Sequence, residues 1–265
     1  MENGQLTMNK ELHFIGIIPA RYASTRFPGK PLALLGGKPV IQHVYEQACK
    51  ALDEVIVATD DQRIMDAVEA FGGKAVMTRA DHPCGTNRCL EAVRKSYRSF
   101  QDNDVVINIQ GDEPFIQPEQ INLLKSCFPT DIATLVKPFT QEDGVSALFN
   151  PNSPKVVVAN GRALYFSRSV IPYLRGVDEH EWLNESILRG TPYYKHIGMY
   201  AYRASVLEQL VALPQSPMEK AESLEQLRWL EAGYTIRVEV TDTQTIGIDT
   251  PEDLRAAEAF MARFL

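Results

Sequence analysis

Along the first half of the chain, short apolar runs alternate with amphipathic helical stretches, and that alternation leaves few ways to fold. "HFIGII" (13–18) is a continuous apolar run suited to a strand buried on both faces. Val40, Ile41, Val44, Tyr45, Ala48 and Cys49 then fall on one helical face. "EVIVAT" (54–59), "KAVM" (74–77), "DVVINI" (104–109) and "IATLV" (132–136) read as further strands. Between them lie helical patterns carrying Ile64, Met65, Val68 and Phe71, then Leu90 and Val93, then Ile121, Leu124 and Cys127 behind Pro118. Strands separated by helices indicate βαβ units in a mainly parallel, doubly wound α/β sheet.

Ligands of such sheets bind beyond the carboxyl ends of the strands. That rule brings three loops to one rim: Pro19-Ala20-Arg21, Thr59-Asp60-Asp61 and Gln110-Gly111-Asp112. The second half reads differently. "KVVV" and "ALYFSR" flank an Asn160-Gly161 turn and suggest a hairpin. Residues 172–194 look like an irregular insertion, and "YKHIGMYAY" (194–202) alternates like a strand. Helices are expected at 204–213 and 222–232, then the strand "YTIRVEV" and a final helix opened by Thr250-Pro251. With no repeat or obvious linker, one domain over 1–265 with an inserted lobe at about 139–195 is the economical reading.

The loop after the first strand concentrates Arg21, Arg26 and Lys30, and no Asp or Glu occurs between Glu11 and Glu46 in a chain of net charge -7. An acidic protein with one local cationic pool suits a small anion better than a nucleic acid, which needs extended basic surface. Neither a P-loop nor a dinucleotide fingerprint is present, which disfavours a dehydrogenase. Arg forks, Lys and backbone N–H groups can still hold a polyphosphate; pairing with surface acids is the alternative. "NIQGDEP" (108–114) places Asp112 and Glu113 just past a strand end, where a carboxylate could hold Mg²⁺ or simply cap a turn. Asp249 in "GIDTPEDL" is a candidate partner, with ordinary helix capping as its alternative.

"TRADHPCGTNR" (78–88) offers Arg79, Gly85, Thr86 and Arg88 to a base edge. His180-Glu181 lacks the second histidine of a zincin, since Asn184 stands there. Arg168, His196, Glu225 and Gln226 are polar residues within apolar patterns, the last two mid-helix. Each could be structural, whereas an Arg could also bind a carboxylate and the others read hydroxyls. Four separated cysteines without C-x-x-C look like reduced thiols. No apolar run approaches the roughly 18 to 20 residues of a membrane span. The first dozen residues lack a secretory pattern and are expected to form a flexible lead-in, which points to a cytoplasmic protein.

Taken in order, "IIPARYASTRFPGKPL", "VATDD", "MTRADHPCGTNR", "VINIQGDEP", "ALYFSR", "KHIGMYAYR", "SLEQLRWLE" and "GIDTPEDL" resemble the 3-deoxy-manno-octulosonate (Kdo) cytidylyltransferases, or CMP-Kdo synthetases. The resemblance runs from about His13 to the last helix. It implies a Rossmann-like nucleotidyltransferase fold of the nucleotide-diphospho-sugar transferase type, with an inserted lobe that mediates homodimerisation. The implied reaction joins CTP and Kdo into CMP-Kdo with release of pyrophosphate, requires Mg²⁺, and serves lipopolysaccharide inner-core synthesis without nucleic-acid or membrane partners. Arg21 and Lys30 would hold the phosphates, with Ser24 in the same loop, and Asp112 and Asp249 the metal. Arg21, Lys30 and Asp112 form the implied catalytic set. Pro19, Ala20, Arg79, Gly85 and Gln110 would line the cytidine pocket. Arg168, Tyr194, His196, Glu225 and Gln226 would cradle Kdo, with Arg168 a candidate for its carboxylate. Cys84 and Asn87 depart from a pattern that usually reads Ser-Gly-Thr, an acid and Arg. Sialic acid or an amine-bearing Kdo variant remain rival substrates. A non-catalytic nucleotide binder would be expected to lack Asp112, Asp249 or Lys30.

Overall fold

The computed structural model describes residues 12–97, 101, 104–243 and 246–264. The lead-in expected over 1–12 lies outside the described residues apart from Leu12. β1 (His13–Ala20) is the central strand its apolar run predicts. Ile15 and Ile17 enter one core and Ile18 the other, each 1% exposed or less. Burying three isoleucines on both faces of one strand contributes about 1.5–3 kcal/mol apiece. A loop then carries a 3₁₀ turn at Lys30–Leu32 and a small ribbon of β2 (Leu34–Leu35) and β3 (Lys38–Pro39). The first βαβ units follow with α1 (Val40–Ala48), β4 (Glu54–Thr59), α2 (Gln62–Ala70), β5 (Ala75–Met77), α3 (Gly85–Ser96) and β6 (Asp104–Asn108). β4 and β6 flank β1 in parallel, and β5 extends the sheet beyond β4.

After α4 (Pro118–Ser126) and β7 (Ile132–Pro138) the pattern changes. The chain passes through α5 (Gly144–Phe149), the hairpin β8 (Lys155–Ala159) and β9 (Arg162–Ser167), and α6 (Trp182–Leu188), and returns as β10 (Tyr194–Arg203). Tyr194 pairs with Pro138, so β10 starts at the end where β7 stopped and runs antiparallel to β7 and β6. A parallel partner would need a crossover to the opposite end. The sheet expected to be mainly parallel is therefore parallel around β1 and mixed beyond it. Among the described residues its order is β5-β4-β1-β6-β10-β7-β11-β9-β8, with β11 (Ile236–Val240) parallel to β7. Phe139, Leu148, Trp182, Leu183 and Tyr193 give the segment between β7 and β10 an apolar cluster of its own.

Asn160 (φ 52°) and Gly161 (φ 67°) make the turn their dipeptide signals. The helix expected over 222–232 begins only at Gln226, and a separate short helix ends where it was expected to start. After α7 (Ala204–Ala212), α8 (Pro217–Glu222) ends at Ser223, whose φ of 52° stops the helix, and α9 (Gln226–Glu231) restarts behind Glu225. α10 (Pro251–Phe264) closes the chain, and Ala257 packs with Ile248, Leu35 and Val40. That docking brings the start of α10 to the loop after β1.

Candidate active site

Lys30 is positioned by backbone geometry. Gly29 adopts φ 72° and donates its N–H to Tyr22 O at 2.8 Å, folding the loop back so that Lys30 opens the 3₁₀ turn. Its Nζ donates to Asp112 Oδ2 and, at 2.9 Å, to Asp249 Oδ1. Arg26 reaches the other Asp249 oxygen at 3.0 Å. The Ile248 N–H donates to Asp112 O at 2.8 Å, so the loop before α10 is stitched to the end of β6. Burial works against the Lys30 ammonium, but Asp112 and Asp249 outweigh it, and its pKa lies above the ordinary lysine value. The acids absent from the cationic stretch thus arrive from 82 and 219 residues away. Sequence-local charge was an incomplete inventory of the charges gathered at this loop.

Two chambers meet at this cluster. The first, about 410 Å³, is lined by Pro19, Ala20, Arg21, Ser24, Lys30 and Gly85, among others. Arg21 donates to His82 O, which ties the cationic loop to the segment before α3. The buried Arg88 also faces this chamber, held by Thr78 Oγ1 at 2.6 Å and Asp60 Oδ2 at 2.9 Å. Asp60, from the second rim loop, therefore acts through Arg88. Gly111 packs where a Cβ would lie 2.7 Å from Pro19 O, so only glycine lets the ends of β1 and β6 approach this closely.

The second chamber, about 470 Å³, shares Gln110, Asp112 and Asp249 with the first and is walled by His196, Glu225 and Gln226. Gln110 Nε2 donates to Gly198 O at 2.7 Å, fixing the partition. Thr134 Oγ1 commits its single proton to Met199 O at 2.8 Å, so at 3.2 Å it accepts from His196 Nε2–H, leaving Nδ1 as an acceptor. Burial holds the His196 pKa down to about 3, so the ring is neutral. Thr86 Oγ1 donates to Glu225 Oε2 at 2.8 Å, while the Cys84 thiol lies between Glu225 Oε1 (2.9 Å) and Asn87 Oδ1 (2.7 Å). Burial, then Glu225, push that thiol up to about 12, which makes it a weak donor and no nucleophile. Burial likewise raises Glu225, against the donors around it. Tyr200 Oη and Gln226 Nε2 line or border this space, buried and without a hydrogen-bond partner among the described residues. Buried polar atoms left over at a cavity wall suit a ligand rich in hydroxyls.

Arg79, Arg168 and Tyr194 lie off the chamber linings to which the resemblance assigns them. Arg79 lies on the surface and pairs with Asp81 at 2.5 Å, away from the first chamber's lining. Arg168 is off the second chamber's lining, and its guanidinium donates to the carbonyls of Glu222, Pro151 and Ser223. Tyr194 packs against the core beside β8, and the tyrosine at the chamber is Tyr200. Glu225 stands at the head of α9 rather than mid-helix. Lys195, Asn152 and Tyr200 also line the chamber, and for Tyr200 alone, four residues beyond His196 on β10, strand alternation was a signal.

Among the described residues no group of three or more His, Cys, Asp or Glu side chains converges as a closed metal cage. Two carboxylates gathered around one cationic nitrogen form the smaller donor set that suits Mg²⁺ shared with phosphate oxygens. The residues present fit that ion.

Residues 15–238 match the family model described as Cytidylyltransferase. The chain is 63% identical over 254 residues to the 3-deoxy-manno-octulosonate cytidylyltransferase of Phocaeicola vulgatus, covering 94% of this chain and 98% of that one. It is 61% identical to the protein of the same name from Bacteroides thetaiotaomicron, at the same coverage. A solved CMP:2-keto-3-deoxy-manno-octonic acid synthetase complexed with CTP superposes with a TM-score of 0.83 at 44% identity, over 96% of this chain and all of that one. A cytidylyltransferase from Leptospira borgpetersenii, 16% identical with a TM-score of 0.61, shares the fold. The cationic loop and the paired carboxylates are thus set in a chain that belongs to the 3-deoxy-manno-octulosonate cytidylyltransferases.

Proposed function

We propose that this chain transfers CMP from CTP to Kdo, releasing pyrophosphate. One observation carries the reading: two chambers, one cationic and one lined by hydroxyl-reading groups, meet at Asp112, Asp249 and Gln110. The triphosphate lies along the cationic loop, where Arg21 and Lys30 balance its charge and the backbone about Pro19, Ala20 and Gly85 cradles the nucleoside. Kdo occupies the second chamber against His196, Glu225 and Gln226. Its anomeric hydroxyl attacks the α-phosphorus; the new O–P bond forms as the bond to the β-phosphate oxygen breaks, and the hydroxyl proton passes to solvent. Such transfer depends on alignment and on stabilising charge at the transferring group, and Lys30 is placed to do the second. Asp112 and Asp249 would hold Mg²⁺, which supplies charge neutralisation of the phosphate oxygens.

His196 Nδ1 accepts from a sugar hydroxyl, and Gln226 Nε2 donates to another. The apolar surface of the lobe between β7 and β10, where Leu188 is 78% and Tyr173 70% exposed, supports a homodimer built through it. No described helix is long and apolar enough to cross a membrane. Unpaired cysteines and use of CTP support action in the cytoplasm.

The test is pyrophosphate release by the purified protein with CTP and Mg²⁺, offered Kdo, its 8-amino analogue or sialic acid. Release with Kdo, lost on chelation, is the expected result. Preference for another acid would keep the chemistry and overturn the substrate. No release with any of the three would reduce the cationic loop to a binding site.

A further inference from the structure

The heads of α3 and α9 turn their polar side chains toward each other rather than onto their own helices. α3 opens behind Cys84 and α9 behind Glu225, and neither side chain caps the helix it precedes. A helix start ordinarily draws such a cap, because its first N–H groups have no partner within the helix. Here the donors at the head of α3 meet a carboxylate 139 residues further along the chain. Thr86 Oγ1 donates to Glu225 Oε2 at 2.8 Å, and the Cys84 thiol lies 2.9 Å from Oε1. Arg228, one turn along α9, approaches Oε1 at 3.4 Å from the other side. Its guanidinium also reaches Glu219 at 3.0 Å and Leu213 O at 3.1 Å, and Arg228 and Glu219 are both buried. Thr86 is 2% exposed and has one hydroxyl proton, which goes to Glu225. The Tyr202 hydroxyl at 3.5 Å therefore donates to Thr86 Oγ1 in turn. Thr86 lines neither chamber; it follows Gly85 of the first and holds Glu225 of the second.

We infer that Thr86 is a positioning residue: acting through Glu225, its hydroxyl fixes the wall of the sugar chamber to the helix that carries Gly85 of the nucleotide chamber. This rests on the reading of the second chamber as the site of Kdo. Burial and Glu219 favour the neutral form of Glu225, while Cys84, Thr86 and Arg228 favour its anion. Cys89, Tyr200 and Tyr202, the other titratable groups around it, are held neutral by burial. The net effect on Glu225 is upward, so removing the Thr86 donor leaves a carboxyl that takes up a proton more readily. An ionised carboxylate only accepts, which suits sugar O–H groups; once protonated, one of its oxygens becomes a donor.

The experiment is steady-state pyrophosphate release from CTP and Kdo, with Mg²⁺ and over a range of pH, by wild type, Thr86→Val, Thr86→Ala and Thr86→Ser. Valine keeps the branched shape and removes the hydroxyl, and alanine removes it without any risk of overpacking. Both should lower kcat/KM for Kdo by about tenfold, the lower weight of one hydrogen bond to a charged group, and leave KM for CTP within about twofold. The acid limb of kcat/KM for Kdo should move up by about one pH unit relative to wild type, since the same tenfold is one pKa unit at Glu225. Thr86→Ser returns the hydroxyl and should restore both the rate and the limb. Wild-type values in Thr86→Val and Thr86→Ala would overturn this inference alone. So would equal losses toward Kdo and CTP with no movement of the limb, the mark of a general packing defect, or a Thr86→Ser enzyme that behaves like Thr86→Val. Wild-type enzyme that releases no pyrophosphate from CTP and Kdo would overturn the substrate reading, and this inference with it.

Discussion

Lys30 meets two carboxylates of distant origin, and that arrangement fixes what its loss would do. Lys30→Met leaves Asp112 and Asp249 without their cation and, on the proposed reaction, removes a positive charge from the phosphate site. Its kcat should fall by about 10²- to 10³-fold, the range for a single preorganised electrostatic donor, with KM for CTP moving less. A kcat within tenfold of wild type would take Lys30 out of the transition state. His196 supports a second prediction, in stability. Its folded pKa near 3 lies below the unfolded value of about 6.5, so between these pH values the unfolded chain binds the extra proton. Stability should therefore decline on acidification through that window, by up to about 1.4 kcal/mol per pH unit from this group. Urea midpoints at pH 7.5 and pH 5 should differ more for wild type than for His196→Asn; equal differences would count against a buried neutral ring. The gathering of Pro19, Ala20, Arg21, Ser24 and Lys30 about one cavity was legible because they share one short stretch after the first strand and the strand rule names its rim. That Arg79 and Arg168 lie off the chamber linings was not legible, for the opposite reason. What a guanidinium does depends on whether an acid or carbonyl from elsewhere claims it first, and Asp81 and the α8–α9 junction do.

Between elements, the critical distance is that from the end of β1 to the end of β6. A Cβ on Gly111 would meet Pro19 O, a backbone atom that moves only with its strand, at 2.7 Å. Gly111→Ala should therefore push Asp112 away from the cationic loop, lowering kcat by tenfold or more and the melting temperature by a few degrees. Wild-type kinetics in that variant would mean that the rim absorbs the shift. The heads of α3 and α9 are joined in a similar way, since Thr86 follows Gly85 of the first chamber and bonds Glu225 of the second. Around β1 the elements were readable because a buried parallel strand is apolar throughout and each helix between strands carries a 3.6-residue stripe. The break between α8 and α9 was not readable, because Ser223 adopts a left-handed φ that its residue type does not advertise. Nor was the antiparallel course of β10, which follows from where the segment after β7 returns.

At the scale of the molecule, both chambers and the carboxylates between them come from one chain, whereas the segment between β7 and β10 leaves apolar surface uncovered. Ile187 and Leu188 are 40% and 78% exposed on α6, next to a cavity of about 660 Å³ lined by Pro138, Phe139, Ile187 and Pro192. On the proposed dimer, a second copy would cover the apolar groups clustered on this lobe. A symmetric interface there would bury the same patch twice while leaving each site complete within its own protomer. Association and catalysis should then separate. Leu188→Glu places two like charges near each other across a self-complementary patch, so sedimentation equilibrium should move from twice the chain mass to the chain mass. The kcat per chain should stay within about twofold, because Leu188 touches neither chamber. A wild-type protein that sediments at the chain mass would end the dimer reading. Loss of kcat in step with dissociation would mean that the partner copy stiffens the β7–β10 segment, and through β10 the second chamber.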